Sequence, residues 1–332
     1  MFDILNNLEI VLITYNRLNF FQHTIKKILS EDSPIKNCQI TILDNHSDDG
    51  TSELCSEYVS KYSNIKHIRH NINIGGNANI VRGYEIAVKE YVWILCDDDD
   101  YNWNHWEDIK KGLEENYDII LTTNQPKPED KGLHRSIWEL TFLPGGIYKT
   151  KYFSTDVFQM AAANIVNILP HMAFACDYVN NNRKIYAPEN RVISPRIEDN
   201  PHANLLRGCN EKPPHRVFKM DLLTAYINTF KMIKDKKLRY ECNEYLIPNR
   251  SFQFCIQYFL SLNYFCYENF LDIFLGLNFK QRIIYVLNVI SYLTKTEDFL
   301  KFYKGENRYY IKLFILKTKI WNTKKQIKTI ST

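Results

Sequence analysis

Apolar and polar positions alternate along the first third of the chain in two distinct periods. Residues 10–15 (IVLITY) are an apolar run of strand length, rich in β-branched side chains. Residues 17–30 then place Leu18, Phe21, Ile25 and Ile28 on one face, the 3.6-residue period of a helix. The exchange recurs as strand 39–44, helix 51–62 (Leu54, Tyr58, Tyr62), short strand 65–70 and helix 79–91 (Ile80, Tyr84, Val88). It continues with strand 92–96 (VWILC), helix 105–117 and strand 118–124. Strands that are apolar throughout are covered on both faces, and strands alternating with helices through short connections make βαβ units. The expectation is an α/β, Rossmann-like fold: a mostly parallel sheet flanked by helices.

The rhythm breaks after about residue 125. Residues 124–134 are a polar, proline-bearing loop. Residues 145–153, 161–182 and 184–193 look like a mixed second half of the same domain. Residues 194–215 are loop-like, and from about 216 the pattern is mainly helical. The expected division is therefore 1–215 as one domain, with halves 1–125 and 126–215, and a helical C-terminal region over 216–332.

Composition narrows the class. With 332 residues, 45% of them hydrophobic, the chain is long enough for a large domain with an appendage. A net charge of +4 is too small to imply nucleic-acid binding. The N-terminus has no basic n-region and no long apolar stretch, so a cytoplasmic protein is expected. The apolar stretch 254–279 is interrupted by Gln257, Asn263, Glu268 and Asp272 and reads as buried helices, not a membrane span. Eight cysteines without CxxC or zinc spacing read as reduced and buried.

The chemistry gathers where strands end. In a parallel sheet, ligands bind beyond the carboxyl ends of the strands. Three polar clusters sit at such ends: TYNR (14–17), DNHSDDGT (44–51) and Asp97–Asp100. Four adjacent carboxylates repel one another and resist burial unless something positive sits among them. Taken alone, such a run reads as a solvated loop or a helix N-terminus. Three polar clusters converging on one rim favour a different reading. Mg²⁺ or Mn²⁺ takes one or two carboxylates plus substrate phosphates, so a metal with a diphosphate would relieve the repulsion. Asp44 is placed to accept a hydrogen bond from a pyrimidine or a ribose, with Thr14 and Asn16 bracketing the base. Arg82 offers a fork to a phosphate or is a surface helix arginine. Gly75 and Gly76 permit close backbone approach to a ligand at a helix start, or form a plain turn. An EF-hand reading of the acidic run fails for want of the glycine and the position-12 glutamate.

These pieces, in this order, resemble glycosyltransferase family 2, which has the GT-A fold. The matching elements are TYNR, DNHSDDGT, NINIGGNANIVRG (71–83) and WILCDDDD (93–100), over roughly residues 8–125. The resemblance implies a nucleotide-diphospho-sugar donor of UDP or dTDP type, a divalent cation (Mn²⁺ or Mg²⁺) and inversion at the anomeric carbon. By position it assigns Thr14, Tyr15, Asn16, Arg17, Asp44, Asn45, Gly75, Gly76, Asn77, Arg82, Asp97 and Asp98 to the donor, and Asp99 and Asp97 to the metal. It implies an acceptor that is a glycan or a lipid-linked sugar, in bacterial surface-glycan synthesis. The family's Glu-Asp pair is missing. Alignment on KIYAPE (184–189) puts LPHMAF (169–174) in its place. His171 is then the candidate general base and Asp177 the second, against the plainer readings of a buried histidine and a helix-surface carboxylate. Gly145 and Gly146 shape the acceptor side or form a turn.

Residues 301–332 carry nine Lys/Arg against one Glu, interleaved with aromatics. That suits peripheral contact with an anionic membrane at its inner face, a core-packing helix, or a homo-oligomer contact. Two other readings stand beside transfer. A sugar nucleotidylyltransferase would want a glycine-rich first loop, and residues 12–20 contain no glycine. A non-catalytic glycosyltransferase-like binding domain is consistent with the missing Glu-Asp pair.

Overall fold

A computed structural model describes residues 4–123, 132–167, 169–195, 222–244, 246 and 267–294. In chain order the first part is α1 (Ile4–Asn7), β1 (Leu8–Thr14), α2 (Leu18–Ile28), β2 (Gln39–Asp44), α3 (Thr51–Lys61), β3 (Ile65–Arg69), α4 (Gly76–Glu85) and β4 (Tyr91–Cys96). It continues with β5 (Asp99–Tyr101), α5 (Trp106–Glu114), β6 (Ile119–Leu121), α6 (Leu133–Glu139), β7 (Gly146–Lys149), α7 (Thr155–Ala163), α8 (Met172–Asn180), β8 (Ile185–Tyr186) and β9 (Ile193–Pro195). Seven strands form one sheet in the order β3-β2-β1-β4-β7-β6-β8. The pairs β1–β2, β1–β4, β2–β3 and β6–β8 are parallel. The expected α/β fold with a mostly parallel sheet is what the chain adopts.

The continuous apolar runs are buried as expected: Leu8, Ile10, Val11 and Leu12 of β1 and Trp93 and Leu95 of β4 are fully enclosed. α2 turns Phe21, Thr24, Ile25 and Ile28 inward, and Lys26 and Lys27 in its last turn complement the helix dipole. Each such apolar side chain contributes about 2 kcal/mol by leaving water.

One local expectation needs correction, and two further features lie beyond the sequence pattern. α4 ends at Glu85, although the Ile80-Tyr84-Val88 spacing extends the helix to residue 91. Val88 is 80% exposed, and its N–H donates at 2.9 Å to the buried Glu9 carboxylate, so the chain leaves the helix to enter β4. β7 runs antiparallel to both β4 and β6, a reversal that single-strand periodicity does not encode. The acidic run is only half a loop: Asp99 and Asp100 begin β5, which pairs antiparallel with β9, Asp99 opposite Pro195 and Asp100 opposite Ser194.

The chain divides into two compact units, Met1–Ile165 with Leu169–Asn200, and Val166–Ile168 with Pro201–Thr332. The described part of the second is helical: α9 (Leu222–Phe230), α10 (Lys236–Glu244), α11 (Tyr267–Gly276) and α12 (Phe279–Thr294). Asn243 on α10 donates to the Gly276 carbonyl at 3.1 Å. Arg282 on α12 donates to the carbonyls of Phe274 and Leu277, capping the end of α11 with positive charge. Among the described residues no helix is long and apolar enough to cross a membrane. Most of the expected loops at 124–134 and 194–215, much of 254–279 and the basic segment 301–332 lie outside the described residues. The five cysteines seen (Cys38, Cys55, Cys96, Cys176, Cys242) are free thiols.

Candidate donor and metal site

The registers of β1, β2 and β4 bring their carboxyl ends to one rim. Thr14 sits opposite Asp44, and Ile13 opposite Cys96. The three polar clusters therefore meet in space. Thr14 donates its hydroxyl to Asp97 Oδ2 at 2.7 Å. Arg17 Nη1 reaches Asp97 Oδ1 at 2.9 Å and Asp98 Oδ2 at 2.8 Å. The Thr24 hydroxyl on α2 donates to the Asp97 carbonyl at 2.8 Å. Asn16 adopts φ +48°, a left-handed conformation that asparagine tolerates. Its amide exchanges two hydrogen bonds with Asp48, both 2.8 Å, and this locks the TYNR turn onto the loop after β2.

The four carboxylates have four different surroundings. Asp97 is 3% exposed; burial lifts its carboxyl to about 6, against the pull of Arg17 and Thr14. Asp99 is 2% exposed, and its Oδ2 has no hydrogen-bond partner among the described residues. Burial first, then the Asp98 and Asp97 charges, push its carboxyl well above the usual range. Asp98 shares Arg17 with Asp97. Asp100 is part-exposed and meets His23 of α2 at 3.2 Å. Among the described residues, Cys96, Asp98 and Asp99 form the one group whose ligand atoms, within 4.8 Å of one another, suit an ion. Asp97, expected as a metal ligand, falls outside that group, and its two oxygens are held by Thr14 and Arg17. Cys96 retains some exposed surface, yet burial and the carboxylates raise its thiol well above its normal range. Sulfur is a soft donor and a poor match for a hard cation, which leaves an oxygen pair, Asp98 and Asp99, suited to Mg²⁺ or Mn²⁺.

On the β2 side, Asp44 is fully buried. Its Oδ1 accepts the Ser47 N–H at 2.8 Å, and its Oδ2 faces His67 Nε2 at 3.5 Å and Arg69 Nε at 3.7 Å. Burial alone would raise its pKa, but His67 and Ser47 hold it below the usual carboxylate value. Asn45 donates to Asn73 Oδ1 and accepts the Ile74 N–H, which pins the 71–76 loop to the rim. Gly75 has φ +87° and ψ 146°, a conformation open essentially to glycine alone, and a Cβ there would meet nothing within 4 Å. Tyr15, in the turn after β1, is 41% exposed. Two expected donor residues face elsewhere: Asn77 donates to the Ile165 carbonyl, and Arg82 pairs with Glu85 on its own helix.

His67 and Arg69 were missed by sequence reasoning. Their only signal was a two-residue spacing on β3, which puts both side chains beside Asp44 once register is known.

Of the candidate bases, His171 caps the N-terminus of α8 and Asp177 lies on it. His171 is 2% exposed, and its Nε2 lies 3.2 Å from each of the Leu140 and Thr141 carbonyls. Two acceptors make Nε2 the protonated nitrogen. Burial lowers its pKa to about 4, so it lacks the access and the basicity that the general-base expectation requires. Asp177 keeps a part-exposed carboxylate, which accepts from Asn181 Nδ2 at 3.1 Å. Gly145 and Gly146 are buried packing positions: a Cβ would strike the Glu139 carbonyl or Leu140.

The sequence model of Glycosyl transferase family 2 matches residues 9–179. The chain belongs to this family. Among curated relatives, the poly(ribitol-phosphate) beta-N-acetylglucosaminyltransferase TarP of Staphylococcus aureus is 26% identical over 157 residues, 46% of each chain. The abequosyltransferase RfbV of Salmonella typhimurium is 28% identical over 109 residues, 32% of this chain and 33% of that one. An uncharacterized glycosyltransferase of Mycoplasma genitalium, MG025, is 31% identical over 93 residues, 28% of this chain and 31% of its own. The chain thus spans less than half the length of these relatives. Among solved structures, S. aureus TarS 1–349 in complex with UDP-GlcNAc shares the fold with a TM-score of 0.57 at 15% identity, covering 89% of both chains. A mannosyltransferase of Pyrobaculum calidifontis in complex with GDP-Man and Mn²⁺ shares it at 0.53 and 13%, covering 89% of this chain and 82% of that one. The family match lies across the acidic rim and α8, and this fold belongs to family 2 enzymes of GT-A type.

Proposed function

We propose that the chain is an inverting, metal-dependent glycosyltransferase. It moves a sugar from a nucleotide-diphospho-sugar of UDP or dTDP type to a hydroxyl of a glycan or lipid-linked acceptor in bacterial surface-glycan synthesis. The observation that carries this reading is Asp99, a carboxylate 2% exposed with an orphaned oxygen, beside Asp98 at the rim. Burial disfavours the charge of such a carboxylate, and a divalent ion would stabilise it. TarP and RfbV, whose names concern poly(ribitol-phosphate) and abequose, support the surface-glycan context. TarS with UDP-GlcNAc supports the donor class, and the mannosyltransferase with Mn²⁺ supports the metal.

In this reading Asp98 and Asp99 hold Mn²⁺ or Mg²⁺. The ion supplies positive charge against the departing diphosphate. Asp44 and Asn45 present the floor of the nucleoside site, and Tyr15 one wall. Thr14 serves by orienting Asp97 toward the ribose. Gly75 leaves space in front of the α4 N-terminus for phosphate oxygens. Of the two candidate bases, Asp177 alone offers a carboxylate reaching solvent, and it takes the acceptor proton. The protein works at the cytoplasmic face, where the basic residues 301–332 contact anionic lipid.

The test is a thermal-shift screen of UDP-, dTDP- and GDP-sugars with and without Mn²⁺, repeated on Asp99→Ala. One donor should stabilise the wild type by about 3 kcal/mol at a hundredfold excess over Kd, only with metal and not in the variant. Product analysis with that donor should show the inverted anomer. A flat response across all donors would falsify the reading.

A further inference from the structure

Asp98 has two claimants. Its Oδ2 accepts Arg17 Nη1 at 2.8 Å, and it also belongs to the group with Asp99 that suits a divalent cation. We propose that Arg17 is a placeholder cation: it neutralises Asp98 in the donor-free protein and releases that carboxylate to the incoming metal and diphosphate, while staying on Asp97. This rests on the donor and metal reading above.

Release falls to the side chain, because the backbone is anchored. The backbone around Arg17 is held on both sides: Asn16 N–H donates to Ser47 Oγ at 2.9 Å, Leu18 N–H to Asp49 Oδ2 at 3.0 Å, and Phe21 N–H to the Arg17 carbonyl at 2.8 Å. Asp97 is fixed on its other oxygen by Thr14, so it keeps the guanidinium when Asp98 lets go. The two acids also differ in burial, with side chains 4% and 16% exposed. The more exposed Asp98 changes partner at the smaller desolvation cost. A guanidinium has five N–H donors, and one Nη serves both acids here, so the remaining donors are available in geometry to diphosphate oxygens. While Arg17 sits on Asp98, its charge repels a bare metal ion. The consequence is coupled binding: metal enters together with the nucleotide, not before it.

Mn²⁺ titrations followed by the EPR signal of free Mn²⁺ test this on the full chain, as wild type, Arg17→Gln and Asp99→Asn, each with and without UDP. Without UDP, Arg17→Gln should bind Mn²⁺ at least about tenfold more tightly than wild type, because a nearby positive charge is gone. UDP should tighten Mn²⁺ binding in wild type and do so less in the variant. Unchanged or weaker Mn²⁺ binding in Arg17→Gln, while Asp99→Asn abolishes binding, overturns the placeholder and leaves the metal reading intact. No Mn²⁺ binding by wild type with UDP present overturns both. Should Arg17→Gln not fold, NMR of the wild-type guanidinium decides, with the Arg17 signals assigned from Arg17→Lys. Mg²⁺ with UDP should shift the Arg17 Nη resonances, whereas resonances unmoved at saturating ligand overturn the proposal.

Discussion

The rim at the ends of β1, β2 and β4 and the start of α8 both bury ionisable groups, yet they solve the problem differently. At α8 a single histidine is taken out of water, loses its charge, and gives its one N–H to two carbonyls. Nothing about it awaits a ligand except a lone pair on Nδ1. At the rim two nearly inaccessible carboxylates, Asp97 and Asp99, lie two residues apart with Asp98 between them, and one guanidinium serves the first and the middle acid. Asp99 keeps an oxygen without a partner. Both groups keep one buried atom without a partner, but only Asp99 shares its surroundings with a second carboxylate whose oxygen lies close enough to hold a common ion.

Removing the orphan should have the largest effect. Asp99→Asn is expected to lower metal-dependent transfer by about a thousandfold while the metal-free protein unfolds at the same temperature or higher. Equal activity of the variant and wild type in a donor-consumption assay would erase the contrast between the two places.

The contrast also has a sign in pH. His171 has its pKa lowered from 6.5 to about 4, so its neutral form supplies stability that is complete above pH 6.5 and lost as pH falls toward 4. Asp97 has its pKa raised from 3.8 to about 6, so its contribution is complete below 3.8 and lost as pH rises through 6. The two act in opposite directions between pH 4 and 6 in wild type. Urea unfolding in EDTA across that window should separate them. His171→Gln should gain stability relative to wild type on acidification, and Asp97→Asn should lose it. Parallel curves for His171→Gln and wild type would mean that the imidazole is not buried in neutral form.

Smaller effects test the frame of the rim. Gly75→Ala forces a Cβ into φ +87° and should cost about 1–3 kcal/mol, read by chemical denaturation, although no neighbouring atom obstructs it. The smallest concerns Arg82, whose side chain is exposed and paired with Glu85. Arg82→Ala should change stability by no more than about 0.5 kcal/mol. Donor affinity, measured by calorimetry, should stay within about twofold, and a larger loss would bring Arg82 back to the phosphate role its position first suggested.

The amino-acid order alone determined the alternation of strands and helices, because fully buried strands must be apolar throughout and helices must carry a 3.6-residue stripe. It also determined that three polar clusters fall at strand ends, since that is local chemistry punctuating local period. It could not tell which of those side chains would be spent on one another. Thr14 turned to Asp97, Asn16 to Asp48 and Arg17 to two acids, and these pairings span 32 to 83 residues of chain. It could not place His67 and Arg69 beside Asp44, because strand register arises from the packed sheet. The reversal of β7 and the burial of His171 were likewise decided only by tertiary structure. Desolvation depends on everything that packs around a group, and no window of sequence contains that.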